Sequence, residues 1–170
     1  MRVFRLATEQ HLTAPLAEIF TFFSDAFNLE RITPPWIRFQ VLTAAPIEMR
    51  VGLEIDYRLR LHGLPLRWRS AITRWEPPHS FTDEQLHGPY RLWQHEHLFT
   101  ADGDATLIRD RVRYAVPGGV LINRLVVERD VRRIFTHRGE VLREIFGGER
   151  MHVITTRETA TTVRKEETGA

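Results

Sequence analysis

Between Trp36 and Tyr114 apolar residues recur at alternate positions through a succession of short runs, and turn-forming residues interrupt them at close intervals. "IRFQVLTA", "LEIDYRLRL", "LRWRSAITRW", "SFTDEQL", "YRLWQHEHLF" and "TLIRDRVRYAV" have strand composition, while "APIEMRVG", "HGLP", "EPPH", "HGP" and "ADGDA" supply turns. Loops this short join antiparallel neighbours, because a parallel crossover needs a dozen or more residues. Such a sheet has an apolar face that must be covered. After "PGG" at 117–119, "VLINRLVVERDVRRIFTHRGEVLREIF" carries apolar residues at 127, 131, 134, 135, 142 and 145, the spacing of one long amphipathic helix.

Ahead of the sheet, "VFRLATEQHL" reads as a strand and "APLAEIFTFFSD" as a short helix capped by Thr13, with Pro15 in its first turn. Asp25 to Thr33 reads as a second short helix, stopped by Pro34 and Pro35. The expected fold is α+β: a curved antiparallel sheet wrapped around a long C-terminal helix, with two short helices after the first strand and a hollow between. This domain spans residues 1–146. From Gly147 the sequence is Thr-rich, charged and without a period, so 147–170 reads as a mobile tail.

Size and charge narrow the function classes. A chain of 170 residues supports one core that buries roughly 70% of the unfolded surface. No apolar run approaches the roughly 18 residues of a membrane span, and "MRVFRLATEQ" lacks the apolar stretch of a signal peptide, so a cytoplasmic location is expected. The absence of Cys excludes disulfides, thiol nucleophiles and thiolate metal sites. A formal net charge of +2 is too small to argue for nucleic acid.

Period two also assigns the strand faces. Ile55, Tyr57, Leu59 and Leu61 point inward together, as do Leu66, Trp68, Ser70 and Ile72. The same alternation turns Phe81, Asp83 and Gln85 inward, then Trp93, His95, His97 and Phe99, then Thr106, Ile108, Asp110, Val112 and Tyr114. On the long helix Arg138 falls in the middle of the apolar stripe. Polar exceptions therefore collect on the inner side: Asp83, Gln85, His95, His97, Asp110 and Arg138. A buried unpaired charge costs several kcal/mol, so these groups must pair or face a wet cavity. Two aspartates against one arginine sum to −1, which a protonated His95 or His97 would offset.

Three chemistries are compatible with this set. His-x-His beside Asp83 or Asp110 is a possible zinc or iron ligand set, disfavoured here because Arg138 would repel a dication. His95 or His97 as general base, with Arg138 stabilising an enolate oxygen, describes a proton-transfer enzyme. Histidines bonded to aspartates in a partly wet cavity that holds a ligand require least of the spacing. Gly-x-Ser-x-Gly, phosphate-loop and Rossmann glycine patterns are missing, so no cofactor is implied. The outward residues Arg58, Arg60, Arg67, Arg69, Arg109, Arg111 and Arg113 offer a polyanion or acidic-protein surface, against which stand neutralising neighbours Asp56, Glu84 and Glu96.

The stretches "ITPPWIRFQV", "GLEIDYRLRLHGLPLRWRSAI", "WEPPHSFTDEQLHGPYRLWQHEHLF", "IRDRVRYAVPGG" and "IFTHRGEVL" resemble the START-like, Bet v 1-like superfamily of polyketide cyclases, dehydrases and lipid-transport proteins, over about residues 1–146. The spacing F-x-D-x-Q-x-x-G-P-Y-x-x-W-x-H-x-H-x-F is similar to that of one bacterial branch. The resemblance implies a helix-grip fold with an internal apolar cavity and small hydrophobic ligands, and it fixes no catalytic residues. The residues and the resemblance together lead to binding of a small, largely hydrophobic molecule with a polar group. Tyr57, Trp68, Trp93 and Tyr114 would give apolar contact, and Asp83, Gln85, His95, His97, Asp110 and Arg138 would orient its polar end. A cyclase or dehydratase using His95, His97 and Arg138, and an interaction module using the arginine-rich face, are the alternatives.

Overall fold

Alternating residues form strands over most of the predicted runs. The computed structural model describes residues 1–157. The strands are β1 (Phe4–Leu12), β2 (Gln40–Val41), β3 (Glu54–Leu61), β4 (Leu64–Glu76), β5 (Ser80–His87), β6 (Leu92–Asp102), β7 (Ala105–Ala115) and β8 (His152–Arg157). They make one sheet in the order β2-β3-β4-β5-β6-β7-β1-β8, with every neighbouring pair antiparallel. Consecutive strands from β2 to β7 are neighbours, the meander that short loops require. Its inner face packs on α4 (Glu128–Phe146), which buries Val131, Phe135, Arg138, Gly139 and Leu142.

The smaller elements depart from expectation for local reasons. Helix α1 (Leu16–Ser24) starts after Pro15, whose extended backbone lets its carbonyl accept Glu18 N–H and Ile19 N–H; Thr13 is not the cap. Helix α2 (Asn28–Ile32) is shorter than the predicted 25–33, because Asp25 Oδ1 accepts Phe27 N–H at 2.9 Å and holds 25–27 in a turn. Of the predicted strand "IRFQVLTA" only Gln40 and Val41 pair, because Ile37 ends a 3₁₀ turn (Pro35–Ile37) and Arg38 follows it at φ 46°. The long helix is broken: α3 (Gly119–Ile122) passes through one wide π turn (Asn123–Val127) into α4. Buried Asn123, in that turn, meets Tyr114.

The tail reading is corrected for residues up to 157. Gly147, at φ 73°, ends α4, and Gly148, at φ 103°, passes so close to β1 that a Cβ there would lie 2.3 Å from His11 O. Gln10 Nε2 then donates to Gly139 O and Glu149 O, both at 2.9 Å, and Glu149 N–H donates to His11 O at 2.8 Å. Thus anchored, the chain crosses α4 at Gly139, where Met151 packs, and pairs with β1 as β8. The rest of the predicted tail lies outside the described residues.

Candidate functional site

Strand register assembles the polar cluster. On β5 and β6 Asp83 stands opposite His95, and on β6 and β7 His97 stands opposite Asp110, which itself stands opposite Thr8 of β1. Directly opposed residues share a face with Cβ atoms about 5 Å apart, and diagonal neighbours remain within reach. Both diagonals are closed: His95 Nε2 lies 3.0 Å from Asp110 Oδ1 and His97 Nε2 lies 3.2 Å from Asp83 Oδ2. Thr8 Oγ1 donates to Asp110 Oδ2 at 3.1 Å. His97 Nδ1 is 2.9 Å from Asp110 Oδ1 but off the line of a hydrogen bond, and His95 Nδ1 is 3.8 Å from Asp83 Oδ2. The two imidazole centroids are 3.7 Å apart.

Burial and charge act against one another here. Burial and the adjacent His97 prevail at His95, lowering its pKa despite Asp110 and Asp83. Burial also disfavours charge on His97, yet the carboxylates of Asp110 and Asp83 outweigh it and raise the pKa. Asp110, 1% exposed, would be raised by burial, but Arg138 and the two rings hold it well below the usual carboxylate range. His97 is thus the ring whose protonated form offsets the second aspartate.

Above the cluster lies a cavity of about 200 Å³ between the sheet, α1, α2 and α4. Tyr57, Trp68, Asp83, Trp93, His95, His97 and Arg138 line it, as the alternation predicts. Three candidates do not. Gln85 is turned to the "HGP" turn, donating to Tyr90 O at 2.8 Å and accepting from Tyr90 N–H at 3.3 Å. Tyr114 is buried in the core with Phe4 and Val112, its phenol pushed up to about 12 by burial, and Asp110 sits behind the histidines. Period two on β1 also turns Thr8 inward, whereas Phe22 lines the wall from helix α1 and Phe39 and Tyr90 from irregular segments, where period two has no meaning. Phe23 and Phe135, buried in the core clusters, also face the cavity.

Arg138 is the exceptional group. It is 6% exposed, its Cζ lies 5.1 Å from the Phe23 ring centroid and 5.7 Å from that of Phe135, and it has no hydrogen bond or ion pair among the described residues. The aromatic faces contribute roughly 0.5–2 kcal/mol each but accept no N–H in the guanidinium plane. The wall around it is apolar except for Ser70, Asp83, the histidines, Asn28 of α2 and the flanking Asp25 and Thr33. Trp68 Nε1 is satisfied by Ser70 Oγ at 3.0 Å, and the Tyr57 phenol is pushed up by burial and by Asp83. Asp83, His95 and His97 also bring three potential metal-ligand atoms within 4.8 Å of one another.

On the outer face Arg69 pairs with Asp56 at 2.8 Å, Arg109 with Glu9 at 2.7 Å and Arg111 with Glu96 at 3.3 Å. Arg58 and Arg113 donate to Gln40 and Gln94. Exposed pairs of this kind contribute little to stability. No helix among the described residues is long and apolar enough to cross a membrane.

Comparison with solved structures finds the same fold at low identity. A Chromobacterium violaceum protein superposes with a TM-score of 0.68 at 10% identity, covering 85% of this chain and 98% of its own. A START superfamily protein from Mycobacterium smegmatis gives 0.61 at 14%, covering 84% and 97%. Norcoclaurine synthase from Thalictrum flavum, solved in complex with dopamine and hydroxybenzaldehyde, gives 0.62 at 13%, covering 85% and 87%. No curated protein matches the sequence. The family model described as polyketide cyclase / dehydrase and lipid transport matches residues 12–142, from the end of β1 through β7 and most of α4, and the chain belongs to that START-like family.

Proposed function

We propose that the protein binds, inside the cell, a small and largely apolar molecule of lipid, polyketide or aromatic type that carries an anionic or strongly polar oxygen. One observation carries the reading: Arg138 is buried at the wall of an apolar cavity with no protein acceptor among the described residues. An unpaired buried guanidinium costs several kcal/mol out of a total stability of about 5–15 kcal/mol. A carboxylate, enolate or carbonyl oxygen entering the cavity offsets that cost, while Trp68, Trp93 and Tyr57 cover the apolar body.

The contact between His97 and Asp83 supports a second reading, a cyclase or dehydratase in which a histidine moves a proton and Arg138 stabilises the oxyanion. Norcoclaurine synthase, whose structure has the same fold, holds two small aromatic molecules. The binding reading needs no reaction and is preferred.

The test uses native mass spectrometry of the purified protein and titration with 1-anilinonaphthalene-8-sulfonate, an aromatic probe with one fixed negative charge. Losing a buried charge partner costs about 2–5 kcal/mol, so Arg138→Met weakens the probe about 30-fold or more, while far-ultraviolet circular dichroism is unchanged. Equal affinity in wild type and variant refutes the assignment. Turnover of a copurifying compound would promote the second reading.

A further inference from the structure

We propose that Asp83, His95 and His97 form a binding site for one divalent transition-metal ion of the zinc or iron(II) class, on the sheet side of the cavity. The site stands independently of which organic molecule the cavity takes. Its three donors come from facing positions of two paired strands, β5 and β6, so their backbones are fixed by the sheet. Asp83 Oδ2 lies 3.2 Å from His97 Nε2 and 3.8 Å from His95 Nδ1, and the three ligand atoms fall within 4.8 Å of one another. Two donors bound at about 2.0–2.2 Å to a tetrahedral ion stand about 3.4 Å apart. Adjustments of a few tenths of an ångström at these two distances, with closure of the longest gap, bring the donors to that spacing.

A second observation points the same way. The ring nitrogens that do not face Asp83 both approach one buried carboxylate oxygen: His95 Nε2 at 3.0 Å and His97 Nδ1 at 2.9 Å from Asp110 Oδ1. Asp110 is oriented in turn by Thr8 Oγ1 at 3.1 Å. Metal-bound histidines nearly always direct the free ring nitrogen to a carboxylate or carbonyl, which sets the tautomer and raises ligand basicity. His95 makes that arrangement as a hydrogen bond, while His97 Nδ1 stands within reach of the same oxygen, off the line of a bond, with a second carboxylate, Asp83, in front of both rings.

The arginine objection raised by the sequence is answered by position. Arg138 makes no ion pair within 4.0 Å of either aspartate and packs over Phe23 and Phe135, so the guanidinium does not occupy the place of the ion. Charge closes as well. Two aspartates, one arginine and a dication sum to +1, which a single anionic oxygen ligand on the open side neutralises. The ion takes the place of the proton between His97 Nε2 and Asp83, and that proton leaves to solvent.

The chain is stripped with chelator and titrated with Co²⁺, followed by visible absorption, and with Zn²⁺, followed by calorimetry. The expected result is one equivalent bound by the wild type, with affinity about 10–100-fold weaker in Asp110→Asn. Asp83→Asn and His97→Gln abolish the stoichiometric step, and His62→Asn, at an exposed His–Asp contact, leaves it intact. In case a ligand variant fails to fold, imidazole ¹⁵N resonances of the wild type provide a second readout: Zn²⁺ moves His95 and His97 alone. Absence of a stoichiometric step in the wild type, its survival in either ligand variant, or its loss in His62→Asn overturns the site. Because only the metal is added, this outcome is separate from that of the anionic-probe titration.

Discussion

Asp110→Asn keeps the shape of a side chain that is 1% exposed and removes its charge. In the wild type one oxygen accepts Thr8 Oγ1–H at 3.1 Å and the other receives His95 Nε2 at 3.0 Å with His97 Nδ1 at 2.9 Å. An amide has a single acceptor oxygen; with that oxygen toward the rings its NH₂ faces Thr8 Oγ1, whose hydroxyl turns to accept, and the charge assistance of the bond to the ring is lost. Such a bond contributes about 1.5–3 kcal/mol. The protonated form of His97 and the guanidinium of Arg138 lose part of their compensation as well, which brings the total to about 3 kcal/mol. For a chain of this size that is a fall in Tm of roughly 6–12 °C. Urea unfolding at pH 7 should show the loss at unchanged slope, since the surface exposed on unfolding is the same. Histidine NMR should show His97 titrating at lower pH than in the wild type, because Asp110 is one of the two carboxylates that raise it. A loss below about 1 kcal/mol together with an unmoved His97 would refute the claim that this carboxylate organises the cluster.

Stability of the wild type should fall on the alkaline side as pH rises through the folded-state pKa of His97: that pKa is raised, so its contribution is complete below the unfolded value near 6.5 and lost above the folded one. His97→Gln should flatten that limb of the profile measured by urea unfolding. Below about pH 6.5 His95 acts in the opposite sense, because its lowered pKa makes protonation favour the unfolded chain, and His95→Gln should remove that acid-side loss. Gly139→Ala gains about 1 kcal/mol of helix propensity but places a Cβ 2.4 Å from Met151 Cβ. The clash should prevail by about 1–3 kcal/mol and speed hydrogen exchange in β8, and pairing it with Met151→Gly should restore exchange protection in that strand. Truncation after Phe146 removes β8, uncovers the edge of β1 and should produce concentration-dependent association on size-exclusion chromatography.

Alternation was sufficient to foresee which side chains share the inner face, because a strand offers only two faces and one is apolar. Alternation therefore puts Asp83, His95, His97 and Asp110 on that face, where the sheet holds them. Their pairing was not available, since it depends on which residue stands opposite which, and the register shift between Ile72 and Arg74 in β4 cannot be read from period two. Gln85 keeps the inward parity of Asp83, yet the nearby turn at Gly88 and Tyr90 captures its amide. β8 escaped detection for a related reason: an edge strand half exposed to solvent shows no apolar alternation, and "HVITTR" pairs through backbone groups that composition does not encode. Arg138 was visible as a break in a helical stripe, but only the packed structure shows it without an acceptor.

The two sides of the cavity are built with unequal rigidity, and this bears on what is recognised. The histidines and aspartates project from central strands, each held on both sides by ladders, so their relative positions are set to within side-chain rotation. Much of the apolar wall comes from α1, the five-residue α2, the 3₁₀ turn and the segment between β2 and β3, which carries no regular structure. Short elements without ladders reposition at low cost, and an apolar contact is non-directional. A polar group entering the cavity therefore meets a fixed pattern, while the apolar part of the same molecule meets an adjustable one. Selectivity in such a site resides in the oxygen chemistry presented to Arg138 and the His–Asp cluster, and molecules with one such head and different apolar bodies of similar volume should be bound with similar affinity.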